Sequence, residues 1–219
     1  MKTGTRPLVP VALLAMIAGA AACGGGAAVH PGDVGVSAPT PSATAASVLR
    51  ANPADVRFMS GMIHHHAQAI VMAGWSATHG ASASIRTLSE RITVSQTDEI
   101  KAMQLWLGER GEQAPEATPT GLRMEMGGVE HVMLMPGMLT EEQMTRLDAA
   151  RGVEFDRLFL TLMIQHHEGA LTMVEELFAT HGGGVDDFIY KIASDTFADQ
   201  GSEIDRMQRM LDAMGAGGR

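Results

Sequence analysis

Residues 58–72 read FMSGMIHHHAQAIVM, and residues 159–173 read FLTLMIQHHEGALTM. The two stretches are identical at seven of fifteen positions, at an offset of 101 residues, and both contain adjacent histidines, at 65–66 and 166–167. At about 100° per residue, the apolar residues of each stretch fall on one side of a helix, with the second histidine near the centre of that side. The sequence therefore predicts a repeated amphipathic helix that carries histidine on its buried face.

Each histidine helix is followed by a glycine-marked turn, at Gly80 in the first half and at Gly182–Gly184 in the second. The pattern Gln-x-x-Glu-Ile-x-x-Met then occurs twice, at 96–103 and at 200–207. Each half thus reads as a helix, a turn and a second helix. Two such hairpins supply the four long helices of an antiparallel four-helix bundle, so we predict an all-α fold built by internal duplication.

Start and stop signals set the predicted boundaries. Asn52 is a good N-cap and Pro53 suits the first helical position, so hairpin one is predicted at 52–110. Proline, paired glycine and methionine mark a Met-rich linker at 111–139, read as a long loop from residue 115. Hairpin two follows at 140–215 and begins with a capping box, Thr140 with Gln143, and a short helix.

The first 51 residues predict export. Two basic residues precede an apolar run at 8–17, and Ala20-Ala21-Ala22 precede Cys23. This order is typical of a bacterial lipoprotein signal at 1–22, with lipid attached to Cys23. The alternative is ordinary cleavage after Ala22, which would leave a free thiol. Residues 23–51 are rich in Gly, Ala, Ser, Thr and Pro and predict a flexible tether, so we expect the folded part to be anchored at the outer face of the cytoplasmic membrane.

The charge balance excludes one class of partner. Asp and Glu outnumber Lys and Arg by 25 to 16, for a net charge of −9, and the chain has nine aromatic residues. A nucleic-acid binder needs a basic surface against phosphate, so we expect no nucleic acid. A single cysteine also excludes an intrachain disulfide.

Two carboxylates are predicted on apolar helix faces. The helical wheel places Glu99 and Glu203 among apolar residues, opposite the faces that carry His66 and His167. A carboxylate that faces a core must be paired, protonated or bound to metal. Two readings stay open: a metal site within the bundle, or buried Glu–His pairs that fix the register of the helices.

These residues resemble the domain of unknown function 305 family. The first copy of the motif is met by Asp55, Phe58, Met62, Ile63, His65, His66, Ala69, Ile70, Met72, Gln96, Glu99, Ile100 and Met103. The second is met by Asp156, Phe159, Met163, Ile164, His166, His167, Ala170, Leu171, Met173, Gln200, Glu203, Ile204 and Met207. The resemblance implies a ferritin-like four-helix bundle that is exported, and some family members are regarded as periplasmic copper binders. Gln165 stands where the first half has His64, so the two sites need not be equivalent.

Imidazole and thioether together suit copper, above all Cu(I), because both are relatively soft ligands. The candidate ligands are His65, His66, Met72, Glu99, His166, His167, Met173, Glu203, His131, Met135 and Met138. We therefore expect copper sequestration or tolerance, without a catalytic residue. For the linker methionines, packing against the bundle is the alternative role.

Two other functions compete with copper binding. A di-iron oxidase would need Glu-x-x-His on two helices, a pattern that the chain lacks, so Asp55 and Asp156 would have to assist. The other alternative is a metal-free interaction module tethered at the cell surface. His64 is expected to face solvent, and His79 and His181 are expected at the surface or at helix caps.

Overall fold

The structure, a computed structural model, describes residues 51–216, without the side chains of Met124 and Met126. The predicted signal peptide at 1–22, residues 23–50 of the tether and the lipidation site Cys23 lie outside the described residues. The elements in chain order are α1 (Pro53–Gly74), α2 (Ala83–Glu109), β1 (Leu122–Met126), β2 (Val129–Met133), α3 (Glu141–Ala149), α4 (Gly152–Ala179) and α5 (Asp187–Ala216). Within this range, no helix is long and apolar enough to cross a membrane.

The helical character of the predicted all-α fold is confirmed, with a two-stranded sheet in addition. α1 begins where the Asn52 side chain accepts a hydrogen bond from the amide of Ala54, at 2.8 Å. A single 3-10 turn and Gly80, with a φ of 71°, reverse the chain, and the Ser82 side chain caps α2. α1 packs along α2, α4 packs along α5, and α1 also contacts α4. The two histidine helices are therefore neighbours.

The linker differs from the prediction, because it is not a continuous loop. β1 and β2 form a two-stranded antiparallel hairpin, in which the Cα of Met124 lies opposite that of His131. Gly127 and Gly128 close the hairpin with φ values of 62° and 79°. A two-residue turn with positive φ at both positions matches the twist of paired strands, so the glycine pair should have been read as a hairpin signal. The capping box of α3 is present as predicted, with Thr140 and Gln143 bonded in both directions.

The core consists of two apolar clusters with a polar layer between them. The first cluster combines the N-terminal half of α1 and the C-terminal half of α4 with parts of α2 and α5, and the second lies towards the opposite ends of these helices. Along α2, the second cluster ends at Ile92 and the first begins at Ile100. Along α4, the second cluster ends at Met163 and the first begins at Ala170. The buried polar residues Gln96, His166 and His167 fall in these intervals, and Thr196 and Gln200 of α5 lie between Ala193 of the first cluster and Met207 of the second. The chain thus places its repeated histidines at mid-height.

Two aspartates join the hairpins at their ends. Asp55, in the first turn of α1, accepts a hydrogen bond from the Gly184 amide at 2.7 Å, in the turn of the second hairpin. Asp156 of α4 accepts from the Ser82 amide at 3.2 Å, in the turn of the first hairpin. Burial raises the pKa of Asp55, and its hydrogen bond to Gly184 opposes that rise. Both aspartates are occupied with backbone amides, so they connect the two hairpins at their turns.

Candidate metal centre

Four imidazoles form a row across the polar layer. His65 and His66 come from α1, and His166 and His167 come from α4. All four residues are fully buried, with 0% exposure. The rings of His65 and His166 lie 3.8 Å apart between centroids. The outer rings lie 6.4 Å from His65 and 6.2 Å from His166. The packing of α1 against α4 therefore brings both His-His pairs to one place.

Each outer histidine is paired with a carboxylate. The Nε2 atom of His66 lies 2.5 Å from Glu99 Oε2, and that of His167 lies 2.8 Å from Glu203 Oε2. The glutamate side chains are 19% and 16% exposed, so they lie at the edge of the layer and not deep in the core. An ionised carboxylate can only accept a hydrogen bond, so both Nε2 atoms carry the proton. Their Nδ1 atoms are buried and have no partner among residues 51–216.

The inner histidines are less well satisfied. His65 Nε2 lies 3.0 Å from the carbonyl oxygen of Pro136 and donates to it, while His65 Nδ1 has no partner within the described chain. In His166, neither ring nitrogen has a partner there. Burial lowers the pKa of both imidazoles well below the usual range, and the neighbouring imidazoles lower it further. Both rings are therefore neutral at neutral pH, which is the state that binds a metal ion.

The Met135–Met138 run closes over this layer. Pro136 and Gly137 pack against Gly169 of α4 so closely that a Cβ at residue 169 would lie 2.0 Å from the Pro136 oxygen. The Met135 sulfur lies 2.8 Å from the position of a Cβ at Gly61, and the Met173 methyl lies 3.3 Å from the same point. Gly61 is one helical turn before His65, on the same side of α1. Two thioether side chains therefore meet at Gly61, one helical turn from His65.

The other predicted ligands lie elsewhere. Met72 is fully buried, two turns beyond His65, within the second apolar cluster. His131 is exposed on β2. Met138 is buried, and its sulfur accepts a hydrogen bond from the Met135 amide at 3.4 Å. Of the linker residues proposed as ligands, Met135 is thus the one that the structure places beside Met173 and near the row of imidazoles.

The solvent-facing prediction for His64 is wrong. The residue is 5% exposed, and its Nδ1 atom contacts the carbonyl oxygen of Thr118 at 3.0 Å. Gln165, at the equivalent place in α4, donates to the carbonyl oxygen of Gly137 at 3.3 Å. Both side chains therefore bind the linker. Gln68 binds it as well, because its side-chain amide donates a hydrogen bond to the carbonyl oxygen of Leu139 and accepts one from the amide of Leu139. These contacts could not be predicted from a helical wheel, because the wheel does not include a linker that packs on the outer side of the helix.

The histidines and carboxylates do not complete a metal site by themselves. Within residues 51–216, no group of three or more His, Cys, Asp or Glu side chains is placed so that it could hold a metal ion. The other candidate donors are the thioether sulfurs of Met135 and Met173, which meet one helical turn from His65.

An acidic cleft lies outside the two Glu–His pairs. It has a volume of about 120 Å³, runs between α2 and α5, and is lined by Arg91, Ser95, Gln96, Glu99, Asp199, Gln200, Ser202 and Glu203. Burial raises the pKa of Asp199, and the charges of Glu99, Asp195 and Glu203 raise it further, whereas Arg91 lowers it. Negative charge is therefore concentrated in this cleft.

Comparison with known proteins identifies the family. The family model described as domain of unknown function (DUF305) matches residues 55–211, so the chain belongs to this family. The crystal structure of a DUF305 fragment from Deinococcus radiodurans is 26% identical, with a TM-score of 0.62, over 75% of this chain and 99% of that one. A DUF305 protein from Streptomyces coelicolor, inferred to be secreted, is 25% identical, with a TM-score of 0.62, over 74% and 94% of the two chains.

A further similar structure is that of a metal-bound protein. CopM in the Cu(II)-bound form is 25% identical to this chain, with a TM-score of 0.57, over 73% of this chain and 97% of that one. A search of functionally curated proteins finds no match.

Proposed function

We propose that this chain is an exported, lipid-anchored copper-binding protein that sequesters the ion outside the cytoplasm. Its scaffold in this proposal is a ferritin-like bundle of the four long helices, formed by duplication of one helical hairpin. The presence of a Glu–His contact in each hairpin supports the duplication, because His66–Glu99 and His167–Glu203 occupy corresponding positions.

The observation that carries the proposal is the state of His166. This imidazole has 0% exposure, lies 3.8 Å from the ring of His65 and has no hydrogen-bond partner at either nitrogen among the described residues. A buried polar atom without a partner costs about 1–3 kcal/mol. If His166 served only for packing, an apolar side chain would fill the same space without this cost. A metal ligand must keep a ring nitrogen free for the ion, so it carries the cost when no ion is bound.

The outer pairs have the form expected around metal-binding histidines. Such a histidine usually donates its other ring N–H to a carboxylate or a backbone carbonyl, which fixes the ring and its tautomer. His66 and His167 donate to glutamates, and His65 donates to the Pro136 carbonyl. In all three rings the second nitrogen is Nδ1, buried and unpartnered within residues 51–216.

Copper fits the available donors better than zinc or iron does. Soft thioether sulfur selects Cu(I), and imidazole suits copper as well. Met135 and Met173 meet one helical turn from His65, and within residues 51–216 no three His, Cys, Asp or Glu side chains are placed so that they could hold an ion by themselves. CopM, the similar protein mentioned above, was solved with Cu(I), Cu(II) and silver, which supports the same choice of ion here.

Export is the second half of the proposal. The first 22 residues have the order of a lipoprotein signal, and the Streptomyces relative is inferred to be secreted. A lipid on Cys23 would then keep the bundle near the membrane. The net charge of −9 would also attract cations towards the bundle.

The test is a Cu(I) titration against a chromogenic chelator under reducing conditions. His166→Gln and Met135→Leu should each weaken Cu(I) binding by at least tenfold, while helicity measured by circular dichroism stays unchanged. His131→Gln is the matched control for the histidine change, because His131 is exposed on β2. Met72→Leu is the control for the methionine change, because Met72 lies within the second apolar cluster.

Two results would overturn the proposal. If the wild-type protein binds no Cu(I) at micromolar concentration, the metal-free interaction module replaces it. If His131→Gln weakens binding while His166→Gln does not, the site lies on the hairpin and the buried histidines are structural.

A further inference from the structure

The second hairpin carries a cluster of exposed aromatic side chains. The chain has nine aromatic residues, and four of them are between 39% and 60% exposed. All four lie between residues 178 and 197, whereas the other five are buried or half-buried. Single exposed apolar residues are common on any protein, but a cluster of large ones marks a surface that binds a partner. The exposed members are Phe178, Phe188, Tyr190 and Phe197.

Three of these rings share one side of the hairpin. The rings of Phe178 and Tyr190 lie 5.7 Å apart between centroids. Phe197 follows Tyr190 by seven residues, about two helical turns, so both lie on the same side of α5. Gly184 of the α4–α5 turn lies against Phe178, because a Cβ at residue 184 would lie 2.5 Å from Phe178 Cε1. We call Phe178, Tyr190 and Phe197 the aromatic face.

The first hairpin has polar residues at the corresponding positions. Its second helix, α2, repeats the motif of α5 at an offset of 104 residues. At that offset Arg86 stands in place of Tyr190, and Thr93 stands in place of Phe197. A hairpin of this type therefore folds without aromatic residues on this part of its surface. Their presence in the second hairpin indicates a role in binding and not in folding.

The described chain begins beside the aromatic face. The Asn52 side chain donates a hydrogen bond to the Gly182 carbonyl oxygen at 2.6 Å, so the start of α1 is held at the α4–α5 turn. Phe178 packs against the same turn. The predicted tether, residues 24–50, separates this point from Cys23. A flexible chain of that length would span about 30 Å, so a lipid on Cys23 would keep this end of the bundle close to the bilayer.

We propose that the aromatic face binds the lipid bilayer and docks this end of the bundle on the membrane surface, a step that rests on the proposed lipid anchor at Cys23. Aromatic side chains are enriched at membrane–water interfaces, where their rings lie at the level of the headgroups. A short flexible linker gives an effective concentration in the millimolar range. A face with only weak affinity for lipid is therefore docked once the chain is anchored, although it would not hold an unanchored chain at the membrane.

The contact does not depend on attraction between opposite charges. Glu175 and Asp187 are exposed close to the aromatic face, each three residues before one of its rings. Lys191 is adjacent as well, but it is paired with Asp195. Anionic lipid would meet carboxylates here, so we expect docking on zwitterionic lipid, with little dependence on salt.

The experiment measures whether residue 190 enters the bilayer. The full lipidated chain is reconstituted into phosphatidylcholine vesicles with brominated acyl chains, which quench tryptophan fluorescence on close approach. Tyr190→Trp is the reporter, and Arg86→Trp is the matched control, because it lies at the corresponding position of the first hairpin. The wild-type chain supplies the background from Trp75 and Trp106. We expect the signal added by Tyr190→Trp to fall by about half or more, and the signal added by Arg86→Trp to remain, because α2 begins at the opposite end of the bundle.

A second change tests whether the aromatic face itself makes the contact. Phe178→Ser, introduced into the Tyr190→Trp chain, should remove most of the quenching while helicity measured by circular dichroism stays unchanged. Addition of anionic phosphatidylglycerol to the vesicles should not increase the quenching. Quenching that persists after Phe178→Ser, or that requires anionic lipid, would overturn the proposal.

The remaining outcomes separate this proposal from the lipid anchor. A chain that floats with the vesicles but shows no quenching at residue 190, or equal quenching at residues 86 and 190, would overturn membrane docking alone. A wild-type chain that does not float with the vesicles would overturn both docking and anchoring, and would leave copper binding untouched. A wild-type chain that sediments as a dimer, and as a monomer after Phe178→Ser, would also overturn docking, because a second copy would then cover the aromatic face.

Discussion

Replacing Gly169 by alanine tests whether the linker packs on α4 as the structure shows. A Cβ at residue 169 would lie 2.0 Å from the Pro136 oxygen and 2.4 Å from the Gly137 Cα. Both are backbone atoms, so no side-chain rotation relieves the clash. To reach ordinary contact, at 3.4 Å or more, the Pro136 carbonyl must withdraw by roughly 1.4 Å. That movement also breaks its 3.0 Å hydrogen bond with His65.

The expected cost follows from three contributions. Overpacking of this kind costs about 1–3 kcal/mol, and the lost hydrogen bond costs about 1 kcal/mol. Alanine is a better helix former than glycine by about 1 kcal/mol, which offsets part of the loss. We therefore expect Gly169→Ala to lower the free energy of unfolding by about 2 kcal/mol. It should also weaken Cu(I) binding, because Met135 moves together with Pro136.

Two other helical glycines provide matched controls. A Cβ at Gly201 has nothing within 4 Å, so Gly201→Ala should raise the free energy of unfolding by about 0.5–1 kcal/mol. A Cβ at Gly61 would meet the flexible Met135 side chain at 2.8 Å, so Gly61→Ala should be close to neutral. Urea unfolding followed by circular dichroism at 222 nm measures all three. If Gly169→Ala is as stable as Gly201→Ala, the linker does not pack on α4 and the site is open on that side.

The remaining predictions concern the core, the response to acid and the location. His66→Leu and Glu99→Leu should each cost about 3 kcal/mol of unfolding free energy, and the double variant should recover much of it, because a buried pair is then removed whole; two single variants with unaltered thermal midpoints would contradict the pairing. Burial raises the pKa of Asp186, but its hydrogen bonds and the charge of Arg110 outweigh burial and lower it below 3.8. Since the folded-state pKa is lowered, this group stabilises the fold above pH 3.8 and the contribution disappears as the pH falls through the folded-state pKa. Asp186→Asn should thus cost about 0.5–1 kcal/mol at neutral pH and progressively less as the pH falls below 3.8, measured by urea unfolding with tryptophan fluorescence; a cost that does not change with pH would refute the linkage. Cys23→Ser should release the protein from the membrane fraction, and an unmodified N-terminus in the wild type would refute lipidation.

Periodicity predicted the helices and the buried histidines, and it did so for a physical reason. A helix that buries one side must repeat its apolar residues every three or four positions, so the side of α1 that carries His66 was visible in the sequence. The same wheel placed Glu99 opposite that histidine, and the two side chains are in contact. Helix starts at Asn52 and Thr140 were visible as well, because capping depends on one side chain and its nearest amides.

The packing of the linker on the helices could not be predicted from the sequence, because it depends on contacts between residues that are distant in the chain. Gln68 binds Leu139, and His64 binds Thr118, both across more than 50 residues. A polar residue on the outer side of a helix has the same pattern whether water or a linker covers it. Gly169 was the available signal, since a glycine inside a long helix costs about 1 kcal/mol unless another segment approaches closely there.

The linker also makes the two halves unequal at the proposed copper site. In sequence, His65 and His166 hold equivalent positions, and the replacement of His64 by Gln165 indicates only that the two halves need not be equivalent. In the structure, Pro136 binds His65 and leaves His166 without a partner among the described residues. Gly169 admits the linker beside α4, while Gly61, on α1, lies against the Met135 side chain. One segment of chain therefore covers a nearly symmetric row of imidazoles from one side. For this reason we expect the inner pair to bind a single Cu(I), shared between α1 and α4, and not one ion in each hairpin.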